Sequence, residues 1–235
     1  MPSSPSTSAA TRNTRGFTLL DPLPDLSFSA SDGTSSSLQS YFKGSWGLLF
    51  SHPDDFTPIC TTELGELARL DNAGEFKTRG VKLLGLSCNS VESHVRWIRD
   101  IEAYSGARVE YPIIADPTRE IAAELGMLSQ DDLDKQGLPL TVRTLFVVDP
   151  DVRIRLTLTY PASTGRNFVE VLRVLDSLQL TDAHKVATPV NWKRGDPVCV
   201  AASVPIDDAV KTFPDFSIEE LPSGKQYLRF TSQVE

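Results

Sequence analysis

"TLFVVDPDVRIRLTLTYP", residues 144–161, reads as two β-strands folded back at the turn Asp149-Pro150-Asp151. The second strand alternates, with Ile154, Leu156, Leu158 and Tyr160 set against Arg153, Arg155, Thr157 and Thr159. One face of it therefore packs inward while the other meets water or another subunit, a pattern suited to a sheet edge. Upstream the rhythm is different. "SWGLLFS" (45–51) and "VKLLGLSC" (81–88) are nearly continuous apolar runs, as expected of strands buried on both faces. Helical spacing follows each one: Leu64, Leu67 and Ala68 after the first, then Val91, Val95 and Ile98 after the second, with Ser90 as a cap. "YPIIAD" (111–116) is a third short strand, leading to a helix around Ile121, Ala122 and Leu125. A last helix carries Phe168, Val171, Leu172, Leu175 and Leu178. Strand–helix–strand units followed by a hairpin predict an α/β fold of the thioredoxin-like order, a mixed central sheet flanked by helices.

The fold domain is read over residues 17–180. Residues 181–235 are proline-rich and irregular, with only "VPIDDAVKTF" and "QYLRF" suggesting a small helix and a strand. So few core positions predict a C-terminal arm or small domain packed on the main domain or across a dimer. The first 16 residues, rich in Ser and Thr with Arg12 and Arg15, read as a flexible tail, with an organelle address as the alternative.

Composition narrows the function classes. The 235-residue chain has a net charge of −8, which argues against nucleic acid or an anionic membrane surface as partner. No apolar run approaches the roughly 18–20 residues of a bilayer span, so stable membrane insertion is not expected. Three scattered cysteines are too few for a disulfide framework. A reducing compartment is expected, cytoplasmic if the N-terminal tail carries no address.

One of those cysteines sits in an informative place. In "HPDDFTPICTTELGEL" (52–67), Thr57 is a good N-cap and Pro58 is favoured at the first helical position, so Cys60 falls in the first turn. The free N–H groups there present partial positive charge to a thiolate. Lowering an ordinary thiol pKa of about 8.5 by two to three units requires roughly 3–4 kcal/mol. A helix end supplies about 0.3–1 kcal/mol. An arginine from elsewhere in the chain is therefore expected beside the sulfur.

The frame P-x-x-x-T-x-x-C formed by Pro53, Thr57 and Cys60 resembles the active-site signature of the peroxiredoxins. Their one-cysteine subgroup is matched from about Leu20 onward through "SWGLLFSHP", "TVRTLFVVDPD", "YPASTGRNF", "SLQLTDAHKVATPVNW" and "LPSGKQYLRF". The resemblance implies a thiol-dependent peroxidase acting on hydrogen peroxide and on organic or lipid hydroperoxides. Cys60 would be the nucleophile and become a sulfenic acid. Thr57 would bind the peroxide, Pro53 would shield the pocket and Arg143 would be the stabilising cation. His52, Glu63 and Arg166 would surround and position them. No metal or haem is implied; the reductant would be an external thiol, glutathione or thioredoxin-type, and the assembly a homodimer.

Two alternatives accompany this reading. In two-cysteine relatives a resolving cysteine precedes a Trp-Lys pair; the resemblance puts Thr188 in that slot here, and Cys199 lies beyond it. Cys88 reads as an inert buried thiol, and Cys199 is the more open possibility for a two-cysteine cycle. Phospholipase activity, credited to animal members of the subgroup, would use Ser45 with Asp151. The motif here is "KGSWG", however, with Lys43 in place of a glycine and Gln39 in place of the histidine, so the serine has no evident base.

Overall fold

The computed structural model describes residues 16–232. A short antiparallel pair, β1 (Ser27–Ser29) and β2 (Ser35–Ser37), precedes helix α1 (Leu38–Phe42). Strand β3 (Trp46–Ser51) runs through the loop 52–57 into α2 (Pro58–Asn72). Then come β4 (Val81–Ser87), α3 (Val91–Ser105), β5 (Ile113–Ala115) and α4 (Glu120–Glu124). A second small antiparallel pair, β6 (Leu128–Leu133) and β7 (Pro139–Thr141), leads to the hairpin of β8 (Arg143–Val148) and β9 (Ile154–Tyr160).

The central sheet has the order β5-β4-β3-β8-β9. Helical crossovers make β3, β4 and β5 parallel, whereas β8 runs antiparallel to β3 and β9 antiparallel to β8. Every residue of β8 is buried, and in β4 only Lys82 is exposed, which accounts for their continuous apolar character. The alternating strand β9 lies at the edge, as its pattern predicts. A cluster including Phe42, Leu49, Leu84, Leu86, Phe146 and Ile154 forms much of the core beside the sheet.

Helix α3 is rotated from the sequence expectation. Val95 is 41 % exposed, and the buried face is His94, Trp97 and Ile101. A helical period fits either set. The observed rotation buries the largest ring, Trp97, and gives His94 hydrogen-bond partners in the interior.

The chain divides into two compact units between Arg166 and Asn167, earlier than the expected boundary after residue 180. The second unit opens with α5 (Phe168–Ala183). It continues with β10 (Val186–Ala187), β11 (Val198–Val200), α6 (Ile206–Thr212), β12 (Ser217–Ile218) and β13 (Arg229–Thr231). Its strands form an antiparallel sheet of order β10-β11-β13-β12, with its own cluster of Val186, Trp192, Val198, Val200, Val204, Ala209 and Phe213. Residues 181–235 are thus less irregular than an arm. Very short strands far apart in sequence pair with one another, and local periodicity does not reveal such pairing. Of the tail read over 1–16, residues 1–15 lie outside the described residues. Among the described residues no helix is long and apolar enough to cross a membrane.

Candidate active site

Helix α2 begins as its sequence dictates, with Thr57 at the N-cap in extended backbone and Pro58 as the first helical residue. Cys60 lies in the first turn and is fully buried. The Thr57 side chain does not cap the helix. Its hydroxyl donates instead to the Asp54 carbonyl oxygen at 2.8 Å, which leaves the Oγ1 lone pairs able to accept.

The loop before it is held under strain. Phe56 has φ +55°, a left-handed backbone that costs a bulky residue about 1–3 kcal/mol. Flanking bonds keep it there: Asn89 Nδ2 donates to Asp54 Oδ1 at 2.6 Å, and Asp55 N–H donates to Asn89 Oδ1 at 3.2 Å. Pro53, in the same loop, is buried.

Arg143 arrives through sheet register. Because β8 pairs antiparallel with β3, Leu145 opposite Phe50 and Val148 opposite Gly47, the first residue of β8 falls near the C-terminal end of β3, where the loop departs toward Cys60. Arg143 Nη1 donates to Cys60 Sγ at 3.4 Å and to Glu63 Oε2 at 2.7 Å. Its Nε and Nη2 donate to the Ala162 carbonyl at 3.0 and 2.7 Å, which aims the guanidinium.

Glu63 lies three residues beyond Cys60, one helical turn away on the same side of α2. Its Oε1 accepts from the backbone N–H and Nε of Arg166 at 2.7 and 2.9 Å, and its Oε2 accepts from Arg166 Nη2 at 2.9 Å. Arg166 Nη1 donates to the Thr144 carbonyl. Both arginines and Glu63 are buried. The Arg143 guanidinium thus places a fixed positive charge in contact with the sulfur.

His52, also fully buried, follows β3, and its ring bonds from Nε2 to Asp55 Oδ1 at 2.9 Å; among the described residues Cys60 is not a hydrogen-bond partner of the ring. Asp55 is shared with His94 on α3. Sequence reading assigned no role to Asp55 or His94. The i,i+3 spacing of His52 and Asp55 was the only local trace of the cluster. His52, Asp55 and His94 are also the one grouping among the described residues with spacing for a metal ion, their ligand atoms lying within 4.8 Å of one another. Mutual hydrogen bonds already occupy the facing atoms.

The remaining candidates have surroundings of a different kind. Cys88 lines a cleft of about 440 Å³ with Arg119 and Asp134, and burial pushes its thiol up to about 12. Cys199 sits in β11 opposite Ala187 and Phe230, and burial raises its pKa too. Gln39 donates to the Leu23 carbonyl and Asp151 pairs with Lys43, so neither is arranged to activate Ser45. His52 and His94, the histidines of that unit, are both committed to Asp55.

Two buried carboxylates tie stability to pH. Burial opposes ionisation of Glu63, but the charge and hydrogen bonds of Arg166, followed by the charge of Arg143, outweigh it and hold the carboxyl below its usual range. For Asp55 burial is likewise outweighed by the hydrogen bonds from His52 and His94, and the carboxyl lies well below its usual range. The unfolded chain therefore binds protons that the folded chain refuses as pH drops through about 4, the ordinary carboxylate range. The stabilisation is complete above that range and is lost progressively below it, until the folded carboxyls themselves protonate. Through these two groups, urea midpoints are expected to fall as pH drops from about 5 to 3. A level profile down to pH 3 contradicts this.

A buried thiol at a helix start, faced by a fixed guanidinium on a thioredoxin-like sheet, defines the class of thiol peroxidases. Comparison with known proteins agrees. Residues 19–157 match the AhpC/TSA family, and residues 177–215 match the C-terminal domain of 1-Cys peroxiredoxin. The chain is 50 % identical to peroxiredoxin-6 of Gallus gallus, over 94 % of this chain and 99 % of that one. It is 51 % identical to the 1-Cys peroxiredoxin of Medicago truncatula, over 92 % and 99 %. The solved C45S mutant of peroxiredoxin 6 from Arenicola marina superposes with a TM-score of 0.89 at 47 % identity, covering 93 % and 99 % of the two chains. A yeast mitochondrial 1-Cys peroxiredoxin, studied for thiol resolution via glutathione/thioredoxin systems, gives 0.82 at 42 % identity over 92 % and 100 %. The chain belongs to the one-cysteine peroxiredoxins, and its activity is that of a thiol-dependent peroxidase.

Proposed function

We propose that Cys60 is the peroxidatic nucleophile for hydrogen peroxide and for organic or lipid hydroperoxides, and that an external thiol, glutathione foremost, reduces it. The 3.4 Å contact of Arg143 Nη1 with Cys60 Sγ, aimed by Glu63 and the Ala162 carbonyl, carries this reading. The thiolate attacks the terminal peroxide oxygen, the O–O bond breaks, and the departing hydroxide or alkoxide takes up a proton. Thr57 Oγ1, its own proton committed to Asp54, accepts from the peroxide O–H. Arg143 stabilises charge as it moves from sulfur to the leaving oxygen, and buried Pro53 limits water beside them. Glu63 and Arg166 hold Arg143 in place.

The cycle then requires the sulfenic acid to condense with a thiol, releasing water and forming a mixed disulfide that a second thiol cleaves. Thr188 occupies the resolving position and shares a 2.6 Å hydroxyl contact with Ser177, and the raised pKa of Cys199 makes it a poor internal nucleophile. The glutathione/thioredoxin systems of the yeast relative support an external reductant. Edge strand β9 supports a homodimer built by edge pairing, and dependence on an external thiol suits a reducing compartment.

Mass spectrometry after one equivalent of peroxide is expected to show one oxygen added at Cys60. Glutathione should then give a mixed disulfide, and turnover should be lost in Cys60→Ser. A stoichiometric Cys60–Cys199 disulfide in its place would overturn the one-cysteine cycle. Excess peroxide should drive Cys60 to the sulfinic acid and inactivate the enzyme.

A further inference from the structure

His52, Asp55 and His94 form a buried hydrogen-bonded chain that the peroxidase steps above do not use, 0 %, 4 % and 0 % exposed respectively. Counting its protons fixes their places. His94 Nε2 lies 3.1 Å from the Ile114 carbonyl oxygen, which can only accept, so this nitrogen carries hydrogen. His94 Nδ1 lies 2.9 and 3.1 Å from the two oxygens of Asp55. An ionised carboxylate also only accepts, so Nδ1 carries hydrogen too and the His94 ring is a cation. The same carboxylate lies 2.9 Å from His52 Nε2, which must therefore be the protonated nitrogen of that ring.

His52 Nδ1 remains. It is buried and has no hydrogen-bond partner. The charged groups facing this ring are Asp55, His94 and Arg166. Burial first, then the two cations, disfavour a second proton, and they outweigh Asp55. The ring is neutral, so Nδ1 is a bare lone pair.

We infer that Asp55 and His94 are positioning residues that lock His52 in one tautomer, so that its Nδ1 serves the peroxidatic centre as a hydrogen-bond acceptor and never as a donor. The surroundings tie this ring to that centre. His52 begins the loop that carries Pro53 and Thr57, and Arg166 acts on it while also binding Glu63. Trp97 lies against the His52 ring at 4.9 Å between centroids and donates from Nε1 to Thr61, the neighbour of Cys60. During the cycle, O–H donors appear there in two forms, the bound hydroperoxide and the hydroxyl on oxidised Cys60. An acceptor for the second holds the sulfenic acid in its protonated form. That form is the better electrophile toward an incoming thiol, because water rather than oxide departs. The lock also keeps His52 from donating to the sulfur in competition with Arg143.

The functional consequence rests on the peroxidase reading, whereas the lock itself is tested without turnover. In the ¹⁵N-labelled wild-type protein, nitrogen NMR of the histidine rings is expected to show His52 protonated at Nε2 and bare at Nδ1, with both nitrogens of His94 protonated. A proton on His52 Nδ1, or a bare nitrogen on His94, overturns the lock. Asp55→Asn then tests its use. With its oxygen kept toward the two-proton His94 ring, the amide turns its NH₂ to His52 Nε2 and moves that ring's proton to Nδ1. Stopped-flow measurement of the two half-reactions should show thiol reduction of the sulfenic acid slowed about tenfold or more, with oxidation by peroxide affected less. Equal slowing of both steps, or no change in a folded variant whose His52 tautomer has reversed, overturns the assigned role.

Discussion

Arg143→Met is expected to slow peroxide reduction by about two to three orders of magnitude, the usual loss when one fixed donor to a developing charge is removed. The variant should fold, because Glu63 keeps Arg166, which donates to both of its oxygens through three N–H groups. Methionine also fills much of the arginine stem volume. The variant does leave the Ala162 carbonyl without the two guanidinium bonds it accepts in wild type, a modest cost of about 1–3 kcal/mol. Stopped-flow oxidation rates alongside urea unfolding separate the two effects. A folded Arg143→Met with less than a tenfold loss would mean that the contact at Cys60 Sγ does not assist the reaction. Arg143→Lys should recover little, since one ammonium cannot span Sγ, Glu63 and Ala162 as the planar fork does.

Glu63→Gln should show the converse balance, with stability the dominant loss. The carboxylate forms ion pairs with both Arg143 and Arg166. Both guanidinium groups are buried, and the neutral amide removes the negative charge they share. Removing one member of a buried ionic cluster costs about 3–5 kcal/mol, a large share of a domain's ordinary 5–15 kcal/mol. Activity falls as well, because Arg143 loses one of its supports. Denaturant midpoints compared with Arg143→Met decide the matter. If Glu63→Gln is no less stable than Arg143→Met, the carboxylate is not what keeps two cations tolerable in the interior.

The legible and the illegible parts of this site differ in the range of the interactions that build them. Thr57 and Pro58 start a helix through their own backbone preferences, so the place of Cys60 in its first turn could be read directly. Even there the side-chain bond of Thr57 could not, since its hydroxyl chooses between the helix N–H groups and the Asp54 carbonyl according to the path of the strained loop. That a cation was needed followed from magnitudes alone, whereas its identity came from resemblance to a family. Helix α3 shows the limit of periodicity. Val91, Val95 and Ile98 satisfied the period as well as His94, Trp97 and Ile101, and only the interior partners of His94 and Trp97 distinguish them. Asp55 was passed over for the same reason, because its function depends on which way α3 is turned.

By itself, then, the sequence determined the strand and helix order of the main sheet, the hairpin that closes it, and a thiol at a helix N-terminus. These follow from backbone dihedral preferences and hydrophobic periods acting over a few neighbouring residues. Only the tertiary structure decided that Arg143, 83 residues away from Cys60, meets its sulfur, that Glu63 serves two arginines, that Asp55 joins two histidines, and that the C-terminal strands make a sheet of their own. Strand register and helix rotation set those encounters. Both are chosen by the packing of the whole core, which no short window of residues contains.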